Sequence, residues 1–133
     1  MRQTKRVPSW TNSTNAIVPK FAYAGTHVVA DFWNSKVIED KKELEQLLQG
    51  AAKAAKSQAL QVSIYKFAPQ GITGVILLAE SHIALHTWPE INYIGIDIFT
   101  CGMEARPKDA LLYFQKHLAP KRVEITEMKR GKK

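Results

Sequence analysis

The sequence predicts a two-layer α+β sandwich: a largely antiparallel sheet with two main helices on one face. Three observations carry this. The element order reads strand, helix, several strands, helix, strand; the strands alternate apolar and polar residues; and each helix carries one apolar stripe, so each needs only one covering layer. The chain has 133 residues, about one domain's length and enough to bury a core without disulfides or a structural metal.

Residues 1–24 are polar, punctuated by Pro8 and Pro19, and read as a basic irregular N-terminal arm; residues 25–133 read as a single domain. His27–Trp33 (HVVADFW) is β-branched and aromatic, as a first strand requires. Asp40 is placed to cap a helix, with Glu43 three residues on. Behind it Leu44, Leu47, Leu48, Ala51 and Ala55 fall on one stripe; Gly50 weakens this helix by about 1 kcal/mol relative to alanine without abolishing it. Ala59–Phe67 alternates, with Leu60, Val62 and Ile64 on one side and Gln61, Ser63, Tyr65 and Phe67 on the other. Pro69-Gln70-Gly71 turns the chain into strands over Gly74–Glu80, His82–Thr87 and Tyr93–Cys101. Pro107 suits a helix start, Ala110, Leu111, Phe114 and Leu118 form its stripe, and Pro120 ends it before a last alternating strand, Arg122–Met128.

Hydrophobic residues make up 45% and charged residues 23%, an ordinary globular balance that argues against general disorder. No apolar run approaches the ~18–20 residues of a membrane span. The basic N-terminus lacks the apolar block of a secretory signal, and the one cysteine, Cys101, cannot form an internal disulfide; both point to the cytoplasm. The net charge of +7 sits at the ends. Residues 1–24 hold Arg2, Lys5, Arg6 and Lys20 with no acid, residues 119–133 hold six Lys/Arg against Glu124 and Glu127, and the body is close to neutral. Such ends are solubilising extensions more often than grips for polyanions.

With Ile94, Ile96 and Ile98 turned to the helices, period two sends Tyr93, Asp97, Phe99 and Cys101 to the other face. The same reading of the preceding strand buries Ile83 and Leu85 and leaves His82, Ala84 and His86 there. His82, His86, Asp97 and Cys101 are thus expected on one face that helices do not cover. Three chemistries compete: a zinc site, which has no close-spaced ligand signature; a Cys–His nucleophile pair; and a half-exposed polar sheet face without chemistry. His27 and His117 have no evident partner and read as structural.

The stretch LLAESHIALHTWPE, followed by YIGIDIFTCG, resembles the short prokaryotic S-adenosylmethionine decarboxylases, a self-processing pyruvoyl enzyme family. The resemblance runs from about Gly25 to Gly131 and is carried by FAPQGITG (67–74), AESHIALHTWPE (79–90), IDIFTCG (96–102) and LAPKRVEITEMKRG (118–131). An ESH-x₃-HTWPE block with FTCG at this separation is highly specific.

The resemblance implies self-cleavage at Glu80–Ser81 through an N-to-O acyl shift. Ser81 then becomes a pyruvoyl group at the start of an α chain (81–133), and residues 1–80 form the β chain. Its ketone condenses with the substrate amine as a Schiff base and takes electrons as CO₂ leaves, the part that pyridoxal phosphate plays elsewhere. By the same carry-over, His86 is the base in processing, Thr73 supports processing with a hydroxyl where the family commonly has serine, and Cys101 reprotonates the substrate carbon. Phe67 is a candidate to stack on adenine and Glu90 to bind ribose hydroxyls. His82 reads as a neighbour of Ser81 with no task of its own.

The implied activity is decarboxylation of S-adenosylmethionine for spermidine synthesis, by a homodimer of αβ units with sites at the interface, without metal, pyridoxal phosphate, nucleic acid or membrane. A runner-up keeps the pyruvoyl chemistry and acts on arginine or ornithine. From other classes, a nucleic-acid-binding module leaves the ESH-x₃-HTWPE block unexplained, and an unprocessed regulatory subunit has no need of Ser81, His86 and Cys101 together.

Overall fold

The computed structural model describes residues 23–79, 81–101 and 105–132. The expected arm over residues 1–24 lies outside them up to residue 22, as does Glu80. In chain order the elements are β1 (Gly25–Trp33), α1 (Lys41–Ala54), β2 (Ala59–Lys66), β3 (Ile72–Leu78), β4 (His82–Trp88), a 3-10 turn (Pro89–Ile91), β5 (Tyr93–Cys101), α2 (Pro107–Leu118) and β6 (Arg122–Arg130). The six strands form one sheet in the order β2-β3-β4-β5-β1-β6. Every neighbouring pair is antiparallel. Among the described residues no helix is long and apolar enough to cross a membrane.

One apolar layer joins sheet and helices. It takes Val28, Ala30 and Phe32 from β1, Ile72, Ile76 and Leu78 from β3, Ile83 and Leu85 from β4, and Ile94, Ile96 and Ile98 from β5. Facing them are Leu44, Leu47, Leu48 and Ala51 of α1 and Ala110, Leu111, Phe114 and Leu118 of α2. Asp40 caps α1 as its sequence position suggests, its carboxylate accepting from the Glu43 N–H at 3.1 Å. Pro107 opens α2, and Ala119, in the left-handed region, closes it.

Two glycines mark where the layers come closest. A Cβ on Gly74 would lie 2.7 Å from Leu44 Cδ2 and 2.9 Å from Leu48 Cδ1, so α1 rests directly on β3 there. A Cβ on Gly50 would collide with the Tyr113 ring of α2, so the residue that lowers the propensity of α1 is what lets the helices meet.

The expected facing of β2 needs one correction. Leu60 is exposed, because the register shifts between Ala59, paired with Leu78, and Gln61, paired with Leu77. This bulge leaves Leu60 out of the alternation, and Ala59 packs on the core in its place. The basic C-terminal end is also less of a tail than its composition suggests. Through Arg130 it is strand, hydrogen-bonded to β1, and Arg122 pairs with Glu124 while Lys129 and Lys108 pair with Glu127. Those lysines, Lys129 first, hold the Glu127 carboxyl below its usual range.

Phe32 is fully buried, so Phe32→Ala is expected to cost about 3–5 kcal/mol. Asp40→Ala should cost about 1 kcal/mol. Urea unfolding with an unchanged slope checks both, and Gly50→Ala, against its helix propensity, is expected to bring no gain.

Candidate active site

The face that the helices leave open carries the polar residues, since each strand has spent its other face on the core. Cross-strand register aligns Thr73, His86, Gly95 and Asp31 in one row, Val75, Ala84, Asp97 and Val29 in the next, and Leu77, His82, Phe99 and His27 in a third. His82, His86, Asp97 and Cys101 therefore do share the open face, with His86 at one end, His82 and Cys101 at the other and Asp97 between them.

At one end the β3–β4 hairpin closes with the Leu78 N–H donating to the Ser81 carbonyl at 2.8 Å. Ser81 Oγ lies 3.4 Å from His82 Nδ1. The His82 ring stands edge-on to Phe99 and His27, with centroids 6.0 and 6.4 Å away. His27 Nε2 is hydrogen-bonded to Asp97 Oδ1, and Arg130 donates to His27 Nδ1 at 3.3 Å. These partners fix the tautomer, since Nδ1 must accept and Nε2–H must donate. The Arg130 guanidinium also lies 5.3 Å from the Phe99 ring centre. Cys101 ends β5 on this side, opposite Gly25, and is buried although its face is open.

At the other end Thr73 Oγ1 and His86 Nδ1 are 3.1 Å apart. Aromatic rings continue from there: His86 to Trp88 at 6.0 Å, Trp88 to Tyr93 at 5.2 Å, Tyr93 to Trp33 at 4.7 Å. Phe67 is half-exposed just beyond β2, its ring 4.8 Å from Tyr65. Glu90 is exposed on the 3-10 turn.

Distances along the strands bear on the pairings open to the sequence. Among the described residues no three His, Cys, Asp or Glu side chains are grouped to hold a metal. His82 and His86, four residues apart on one strand, are separated by about 13 Å at about 3.3 Å per residue. A Cys101–His86 pair within one chain fails on the same ground. His86 is level with Gly95, and the six residues from there to Cys101 span about 20 Å.

A family model described as S-adenosylmethionine decarboxylase matches residues 26–131. The chain belongs to the S-adenosylmethionine decarboxylase family. It is 40% identical over 109 residues to an S-adenosylmethionine decarboxylase proenzyme of Methanococcus maripaludis, covering 80% of this chain and 89% of that one. With the proenzyme of that name from Clostridium tetani it shares 37% over 109 residues, 80% and 86% of the two chains. The crystal structure of the adenosylmethionine decarboxylase from Aquifex aeolicus VF5 has the same fold, with a TM-score of 0.77 and 36% identity over 84% of this chain and 93% of that one.

Several residues of this family member's open face escaped the sequence reading. His27 has two polar partners rather than none, and the alternation of β1 already put it, with Asp31, on the face of Asp97. The resemblance singles out Thr73; what the pattern misses is that β3 starts two residues earlier than expected, which turns Thr73 towards His86. Arg130 joins the face because β6 runs two residues past Met128. The His117 ring lies 4.2 Å from that of Tyr113.

Tyr93 donates to Asp31, and burial, together with that bond and the nearby carboxylate charge, pushes its phenol up from 10.0 to about 12. The raised value favours the protonated phenol in the fold. Its contribution to stability is complete below pH 10 and is lost as the pH climbs towards 12. A difference titration of phenolate absorbance against Tyr93→Phe is expected to show the late transition. Asp31→Asn should move it down without returning it to 10.0, because burial is the larger cause.

Proposed function

We propose that the chain decarboxylates S-adenosylmethionine with a pyruvoyl group made from its own Ser81, as a dimer of self-cleaved αβ units whose sites each draw on two copies. One observation carries the reading: Ser81 and Cys101 lie at one end of the open face, and the Thr73–His86 pair lies at the other. Five residues of extended chain separate Ser81 from His86, about 16 Å. Within one chain His86 does not reach Ser81; a second copy laid antiparallel across the open face brings its His86 there. Such an arrangement also covers Leu77, Tyr65, Trp88 and Met128, which one chain leaves exposed.

The surroundings of Ser81 fit a group derived from the main chain. Its hydroxyl is half-buried beside an imidazole, directly after a hairpin end whose backbone is pinned by the Leu78 N–H. In this reading Ser81 Oγ takes over the Glu80 acyl group, and His86 of the second copy removes the Ser81 α-proton as the Glu80 carboxylate leaves. His86 Nδ1–H then donates to Thr73 Oγ1, which leaves Nε2 as the basic nitrogen. The dehydroalanine left at 81 tautomerises to an imine, which takes up one water to become the ketone and releases ammonia; this residue heads the α chain (81–133), while residues 1–80 become the β chain. Once formed, the pyruvoyl ketone supplies the electron sink that an α-amino acid needs to lose CO₂.

Phe67 offers an open ring face for adenine, steadied by Tyr65, and the exposed Glu90 carboxylate is placed to accept from ribose hydroxyls. Cys101, buried at the Ser81 end, holds the proton that the substrate carbon takes up. The product would serve as aminopropyl donor in spermidine synthesis. A single cysteine suits the reducing cytoplasm.

Release of CO₂ is expected from S-adenosylmethionine and not from arginine or ornithine; release from either amino acid alone would move the chain to that substrate. Phe67→Ala should raise KM about fivefold to tenfold, the worth of about 1 kcal/mol of stacking. Ser81→Ala and His86→Ala chains, each uncut alone, are expected to restore cleavage of the His86→Ala chain when co-expressed. No cleavage in the mixture would rule out the two-copy site.

A further inference from the structure

Acceptance of self-cleavage at Glu80–Ser81 leaves one proton without a taker: the hydroxyl proton that Ser81 must lose when Oγ attacks. His86 of the same chain lies at the far end of the face, and the His86 that a second copy brings is held by Thr73 through Nδ1 and serves the later α-proton. At the Ser81 end, His82 Nδ1 is 3.4 Å from Ser81 Oγ. The ring is held where it is. His82 is the first residue of β4, its cross-strand partners are Leu77 and Phe99, and its imidazole is edge-on to both Phe99 and His27. His27 is itself fixed between Asp97 and Arg130. Ser81 lies just outside the strand, so its side chain is not committed to the opposite face by alternation and turns to its neighbour.

We infer that His82 is the base that starts processing, a task distinct from that of His86. Resting on the self-cleavage reading, the step balances within the chain. Nδ1 of His82 takes the proton of Ser81 Oγ as Oγ bonds to the carbonyl carbon of Glu80. The tetrahedral adduct then breaks its C–N bond, and the imidazolium returns the proton to the departing Ser81 nitrogen. The result is an ester between the Glu80 acyl group and Ser81 Oγ, with a new α-amine; nothing is oxidised and no co-reactant is consumed. His86 acts only afterwards, on the α-proton. The structure thus divides two proton transfers between two histidines four residues apart.

Hydroxylamine separates the two steps, because it cleaves an ester and leaves the peptide bond intact. His82→Ala and the bulkier His82→Gln are to be compared with wild type and His86→Ala, as full-length chains with the wild-type circular dichroism spectrum. Wild type should be cut. His86→Ala should remain largely uncut until hydroxylamine splits it at 80/81, since its ester forms and waits. Both His82 variants should fall at least a hundredfold in cleavage rate and resist hydroxylamine, and added imidazole should recover part of the loss in His82→Ala. His82 variants that cut at the wild-type rate, or that yield to hydroxylamine as His86→Ala does, would overturn the assignment while leaving self-cleavage intact. A wild-type chain that is never cut would remove self-cleavage itself, and this step with it.

Discussion

Everything in this molecule depends on the cover that two helices give to one face of an antiparallel sheet. Because side chains alternate along a strand, burying Val28, Ile76, Ile83, Leu85, Ile96 and Ile98 beneath α1 and α2 obliges their neighbours to share the other face. His27, Thr73, His82, His86, Asp97 and Cys101 are brought together by that obligation. The core is ordinary hydrophobic packing. Its consequence is a polar sheet face, assembled from β1 and the three consecutive strands β3, β4 and β5, that neither helix covers.

That face is divided. The Ser81 end has an imidazole against a hydroxyl, backed by the His27–Asp97–Arg130 group. The other end has the Thr73–His86 pair and a run of aromatic rings. Strand geometry keeps the two apart within one chain, however the side chains turn. The proposed dimer answers this separation with symmetry: two copies facing one another in opposite senses each complete the other's site. In that arrangement, self-cleavage draws first on a neighbour in sequence, His82, and then on a residue from the second copy, His86.

Much of this was legible in the sequence because period two and period 3.6 are robust signals. The stripes of α1 and α2, the Asp40 cap, the start of α2 at Pro107 and the facing of β4 and β5 all followed from spacing. What escaped depended on events without a local signature. The bulge at Leu60 comes from how β2 meets β3, not from the composition of β2. Gly50 reads as a flaw in a helix until Tyr113 is seen against it. His27 found its partners only once β1 was known to lie between β5 and β6, a pairing that spans most of the chain. Arg130, and the pairing of Thr73 with His86, turned on strand ends, which sequence patterns locate poorly.

The most direct test of the central claim is the intact mass of the purified protein under denaturing conditions. Cleavage at Glu80–Ser81 divides the 15.0 kDa chain into species of about 9 and 6 kDa. The smaller should be lighter by one ammonia than a fragment beginning with serine, and closed to Edman degradation. A single stable species at 15.0 kDa, or a smaller fragment with an intact serine at its start, would contradict the claim that Ser81 becomes the reactive carbonyl of this enzyme.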